Sequence, residues 1–140
     1  LNTHAGDSTN PHDVTASQVG AIAQGDVYYF EDTTGYTTTT TSYASTGTLI
    51  SNMPAGTYLV MLSFMGRQTS STPVTVKIRS SVADWAGLGA VCHSSVDTWH
   101  TVTNVYVNPS TYNLYAQYKL NISGGTGYVT RIRGQFIKIG

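Results

Sequence analysis

The sequence predicts an all-β domain, an antiparallel sandwich or barrel, over residues 26–140, preceded by a short polar segment over residues 1–25. Three observations point there. From Asp26 onward no helical spacing of apolar residues is sustained. β-Branched and aromatic residues alternate with polar ones instead, and Gly, Pro and Asn interrupt them at roughly ten-residue intervals. The chain has 140 residues, enough for one domain with a substantial core and a small appendage.

Taken in order, the expected strands are Val27–Asp32, Tyr36–Tyr43, Gly47–Asn52, Thr57–Arg67, Val74–Ser81, Ala90–His93, Trp99–Val107, Tyr112–Ile122 and Gly127–Ile139. Turn residues separate them: Thr34-Gly35, Met53-Pro54-Ala55-Gly56, Ser70 to Pro73, Asn108-Pro109-Ser110 and Ser123-Gly124-Gly125. Val74, Val76 and Ile78 alternate with Thr75, Lys77 and Arg79, so that strand has one wet face. Leu114 to Ile122 alternates the same way. The Thr37–Thr41 run carries hydroxyls on both faces and reads as a solvated edge strand or a loop. Gly87 and Gly89 suggest a long loop before Ala90.

Tyr58–Met65 differs from the other strands. Tyr58, Val60, Leu62 and Phe64 point one way, and Leu59, Met61 and Met65 point the other. A sandwich core covers one face, so the second needs a covering loop or another subunit. Burying one Leu or Met contributes roughly 1.5–3 kcal/mol, which makes three of them costly to leave wet. At eight residues, with Ser63 among them, this run is too short to span a bilayer.

Charge excludes some partners. Lys and Arg number 7, Asp and Glu 7, and charged residues make up 10% of the chain. Nucleic acid and anionic membranes are captured by Lys and Arg clusters, so neither is an expected partner. Cys92 is the one cysteine, so no intrachain disulfide forms, and a small buried hydrophobe is its expected role.

Residues 1–25 are too polar for a core of their own. Asn10-Pro11 marks an extended corner. Thr15-Ala-Ser-Gln18 fits a capping box, and Gly20 supplies a stop, so one helical turn is expected. Val14, Val19 and Ile22 must then pack on other copies or on the domain that follows. Leu rather than Met at position 1 leads to the expectation that this is a piece of a longer chain.

The spacing His4-x₇-His12, with Asn10-Pro11 before the second histidine and Val14-Thr15-x-x-Gln18-Val19-Gly20 after it, resembles a motif repeated in tail fibres and receptor-binding proteins of bacteriophages. It lies there in the trimeric stalk or just before a terminal domain. Ala55-Gly-Thr-Tyr-Leu-Val-Met-Leu-Ser-Phe64 and Gly134-Gln-Phe-Ile-Lys-Ile-Gly140 resemble the inner-sheet strand and the closing strand of jelly rolls of the tumour necrosis factor and complement-head kind. These resemblances imply a jelly-roll sandwich, a homotrimer meeting through its inner sheets, and a place at the distal tip of a tail fibre on the virion. The rest of the fibre would join through the N-terminus, with residues 1–25 as neck and 26–140 as receptor-binding head.

Sites follow from chemistry. Sugars present hydroxyls and apolar C–H faces, so their sites need aromatic platforms and fixed polar groups. The densest such region holds Asp84, Trp85, His93, Asp97, Trp99 and His100, with Tyr112, Tyr36 and Tyr43 near strand ends. The competing reading places both tryptophans in the core. Arg67, Lys77 and Arg79 are the residues to meet phosphate groups of a cell-wall polymer. His4 and His12 are interchain hydrogen-bonding groups first and metal ligands second. No cofactor is expected. Cys92-His93 stand on opposite faces of a strand, and no Gly-x-Ser-x-Gly, His-Glu-x-x-His or phosphate-loop motif occurs. The expected function is therefore non-catalytic attachment to host cell-surface glycan. A structural trimerisation cap and a glycan-depolymerising enzyme are the alternatives.

Overall fold

Ten strands and no helix make up residues 26–140, which the computed structural model describes. They are β1 (Val27–Asp32), β2 (Tyr36–Thr38), β3 (Ala44–Ser45), β4 (Ile50–Met53), β5 (Gly56–Gln68), β6 (Val74–Ser80), β7 (Asp84–Cys92), β8 (Thr98–Asn108), β9 (Tyr112–Leu120) and β10 (Gly127–Lys138). One sheet runs β1-β10-β5-β8, with β2 also on β10; the other runs β3-β9-β6-β7, with β4 also on β9. Every pairing is antiparallel. From β4 on, each connection changes sheet except the β6–β7 link, and the first strand pairs with the last. This is the rolled-up double-sheet connectivity of a jelly roll, as expected.

Strict alternation builds the core. Tyr58, Val60, Leu62 and Phe64 of β5 are fully buried, as are Val74, Val76 and Ile78 of β6 and Leu114, Ala116 and Leu120 of β9. Trp85, Leu88, Ile132 and Phe136 complete the packing between the sheets. Gly134 sits between Phe30 and Phe136, where a Cβ would collide with both rings.

The sandwich has two poles. Asp26, Gly56, Asn108 and Lys138 lie at one, because β5 pairs Gly56 with Asn108 and Tyr58 with Lys138, and the Lys138 amide donates to the Asp26 carbonyl at 2.8 Å. There the Asn108 side-chain amide donates to the Met53 and Pro54 carbonyls. Gln68, Thr98 and Gly127 lie at the other pole. Gln68, 6% exposed, ties that end together: its amide donates to the Ser94 carbonyl, its Nε2 to the His93 carbonyl, and its Oε1 accepts from the Thr72 amide.

Three elements depart from expectation. The strand expected over Tyr36–Tyr43 ends at Thr38. The Thr run is a crossing from one sheet to the other: β2 pairs with β10, and the Thr40 carbonyl then accepts from Leu120 at the end of β9. Its hydroxyls bond to nearby backbone, Thr40 Oγ1 to Ser42 O for one, which competes with a ladder. The strand expected over Gly47–Asn52 begins only at Ile50. The loop expected before Ala90 is strand: β7 starts at Asp84. Gly87 is a kink within it, at φ +72°, where the pairing to β6 slips between Lys77 and Arg79. The capping box at Thr15–Gln18, His4, His12 and the proposed neck lie outside the described residues.

Candidate functional site

The run from Asp84 to His100 is dispersed by β7. Its two ends pair with Arg79 and Val74, five steps of about 3.3 Å along β6, so Asp84 and Cys92 stand roughly 16 Å apart, toward opposite poles. Asp84 stands on the outward face of the β3-β9-β6-β7 sheet, bonded to Lys77 Nζ at 2.7 Å and Arg79 Nη1 at 3.0 Å. Lys77 chiefly, then Arg79, holds its carboxyl below the usual range. Two of the three cations considered for phosphate are therefore partnered by Asp84, and the third, Arg67, lies over the Tyr128 ring at 4.2 Å. The same outward face carries Tyr43, with Lys77 Nζ 3.8 Å and Lys119 Nζ 4.7 Å from its ring centre.

Trp85 is a core residue, 2% exposed. It stacks on Tyr106 at 4.3 Å between ring centres and meets Phe136 edge-on. Tyr112, half-buried, pairs with Met53 near the same pole. At the far pole, His93 and Asp97 are exposed. His100 is half-buried, its ring 5.3 Å from Phe64, and its Nε2 is buried without a hydrogen-bond partner. Burial lowers its pKa, with His93 adding to the shift. Cys92 is fully buried and its Sγ lies 3.4 Å from the Gly66 carbonyl; burial raises the thiol pKa.

Trp99 turns away from that group, onto the outward face of the β1-β10-β5-β8 sheet, 39% exposed. Register places residues of this face in rungs across the strands. Val27, Ile137, Leu59 and Val105 form an apolar rung. Tyr29, Gln135, Met61 and Thr103 form the next, and Glu31, Arg133, Ser63 and Thr101 the one after. Arg131, Met65 and Trp99 follow. Glu31 accepts from the Tyr29 hydroxyl at 3.1 Å and from Arg133 at 3.3 Å, and Arg131 lies 3.6 Å away. Tyr29 first, then the two arginines, lowers its pKa. The Arg133 guanidinium also lies 4.4 Å from the Trp99 ring centre. Val27, Val105 and Val107 are about half exposed or more, at 47%, 50% and 63%.

A cleft of about 360 Å³ opens at the β1 edge of the sandwich, between the β1–β2 turn and the segment leading into β4. Phe30, Asp32, Thr34, Tyr36, Thr48 and Leu49 contribute to its walls. Asp32 is buried at 9% exposure, and its carboxylate accepts from the Thr34 amide at 2.9 Å and the Tyr36 hydroxyl at 2.7 Å. Burial pushes the carboxyl up, but bonds from the Thr34 side chain, Tyr36 and the Thr34 amide outweigh it and lower the pKa. Tyr36 is fixed in turn by Tyr118, whose ring centre is 4.8 Å from its own. Sequence reasoning named Tyr36 and missed Asp32. The signal was present: an Asp whose oxygen bonds the amide two residues on, before Gly35 at φ +76°, is an Asx-turn. The opposite wall, from residues 47–49, comes from the β3–β4 link along β9 in the other sheet and has no local signature.

No protein-family model and no curated protein matches the chain by sequence. Among solved structures, a capsid structure of the Helicobacter pylori bacteriophage KHP30 shares 13% identity over 81% of this chain and 89% of that one, with a TM-score of 0.49. The Eiger tumour necrosis factor of S. frugiperda shares 11% over 79% and 90%, also at 0.49. The C-terminal CBM6 of LamC from Zobellia galactanivorans shares 12% over 77% and 98%, at 0.44. The jelly-roll assignment rests on the strand order and register described above.

Proposed function

We propose that residues 26–140 are the receptor-binding head of a bacteriophage tail fibre, a homotrimer that attaches the virion to host cell-surface glycan without catalysis. The observation that carries this reading is the outward face of the β1-β10-β5-β8 sheet. It carries the rung Val27, Ile137, Leu59 and Val105 outside the core of its own chain. Meeting copies of itself around a threefold axis would bury that rung and give Leu59, Met61 and Met65 the second partner their two-faced strand requires. The polar rung of Glu31 and Arg133 would then set register between copies.

The motif at His4–Gly20 supports the fibre context, with residues 1–25 as the neck. A surface with few charges and many hydroxyls suits neutral glycans. At the far pole, His93 and Asp97 are the exposed part of the site expected from sequence, while Trp99 belongs to the sheet face that would meet the other copies. Several weak sites on one trimer gain avidity from their number.

The test is binding of the fluorescently labelled trimer to bacterial cells and purified wall glycans, with His93→Ala and Asp97→Ala alongside. Saturable binding to a host strain that free glycan competes away supports the reading. A trimer that binds no cell or glycan would indicate a structural cap, and release of sugar fragments would indicate a depolymerase.

A further inference from the structure

We propose that the cleft between β1 and the segment leading into β4 is a second ligand site, built for an uncharged pyranose and formed by Asp32, Thr34, Tyr36, Thr48 and Leu49. The inference rests on the reading of this head as a glycan binder and adds a site outside the aromatic and histidine cluster.

The cleft's chemistry selects the ligand. Its volume of about 360 Å³ is that of a small-ligand pocket. Asp32 is the fixed element: nine-tenths buried, clamped by Thr34 and Tyr36, and held by an Asx-turn rather than by a mobile side chain. A carboxylate offers roughly four acceptor positions, and the donors from Thr34 and Tyr36 leave room for one more. Because the Tyr36 proton is committed to Asp32, the tyrosine oxygen faces a ligand as an acceptor. The site therefore asks its ligand for hydroxyl donors. Phe30 and Leu49 supply carbon against which the C–H face of a sugar ring packs.

The same inventory rejects anions. No Lys or Arg stands among the lining residues, and Glu31 at the rim is turned to Arg131 and Arg133 on the sheet's outward face. A phosphate, sulfate or uronate would meet the Asp32 carboxylate with no cation to offset it. The one acceptor position left on Asp32, the Tyr36 oxygen and the Phe30 and Leu49 carbon match the hydroxyls and the C–H face of an uncharged ring.

The experiment uses the full 140-residue chain on an array of neutral trisaccharides (cellotriose, maltotriose, mannotriose, chitotriose) and anionic glycans (phosphorylated, sulfated and uronate-containing). The strongest binder is then titrated into the ¹⁵N-labelled protein. Expected are binding to neutral glycans, amide shifts at Thr34, Gly35, Thr48 and Leu49, and at least tenfold weaker binding in Asp32→Asn and Leu49→Lys, with Trp99→Ala leaving these shifts in place. Should Asp32→Asn fail to fold, Leu49→Lys and the amide map decide. Neutral-glycan binding with shifts confined elsewhere and both cleft variants unaffected would overturn this site while leaving the receptor-binding reading intact. Preference for anionic glycans would overturn the ligand class. No binding to any glycan or cell would remove the broader reading and this inference together.

Discussion

Two tryptophans that look equivalent in sequence have opposite duties. Trp85 is walled in by Tyr58, Tyr106 and Phe136, while Trp99 lies on the outward face beneath Arg133. Trp85→Ala is expected to lower the unfolding free energy by about 3–5 kcal/mol, the range for losing a buried aromatic. Trp99→Ala is expected to cost about 0.5 kcal/mol or less in the isolated protomer. Urea unfolding of both variants checks the pair. His100 gives a pH prediction. Its folded pKa lies below the 6.5 of an ordinary histidine, so below about 6.5 the unfolded chain binds more protons than the folded one, and stability falls as pH falls. A series of thermal midpoints from pH 7.5 to 5 should decline, and His100→Phe should flatten that decline. An unchanged slope would mean the ring charges freely in place. Residue environments of this kind were only half legible beforehand. That Trp85 is core follows from a strand face, and the face was hidden because Gly87 and Gly89 read as a loop.

Among the elements, β5 was the most legible and carries the most consequence. Unbroken alternation fixes which residues enter the core, and the structure places Tyr58, Val60, Leu62 and Phe64 there with no exposure. The same alternation leaves Leu59 and Met61 outward, half-buried by flanking strands. Leu59→Lys puts a charge in the centre of the apolar rung without touching the core. The expected outcome, read by light scattering, is a folded monomer in place of a trimer, with a thermal midpoint set by the protomer alone. A trimer that survives this change would place its interface on another face. β7 and the Thr run were less legible for a common reason. Each departs from ideal strand or loop chemistry only because of a neighbour: Gly87 kinks where Asn104 of β8 stands against it, and Thr40 pairs with Leu120, far away in sequence. Local patterns do not carry such contacts. The cleft escaped notice similarly, since Asp32 meets residues 47–49 only once the sheets are stacked.

At the scale of the whole molecule, the proposed class of partner rests on composition more than on any local motif. With 7 basic and 7 acidic residues, several already paired in Glu31–Arg133 and Asp84–Lys77, the surface has few free charges. Binding of the head to glycan or cells is accordingly expected to change less than about threefold between 50 and 500 mM salt, measured by the same cell-binding assay. A steep loss would point to an ionic receptor, because only exposed charge is screened strongly.

The arrangement of the poles has a mechanical meaning. β1 begins beside Asp26 and runs toward the far pole, held along its length by six register pairs with β10. A load that enters at residue 26 and leaves through loops such as Ser123–Thr126 pulls along that strand, so its ladder bonds resist together in shear. A load between residues 26 and 140, which share one pole, opens the same ladder one bond at a time, like a zip. Single-molecule pulling should find the first geometry distinctly stronger. A head held by one end and gripped at the other would thus be toughest in the direction along which an anchored particle tugs.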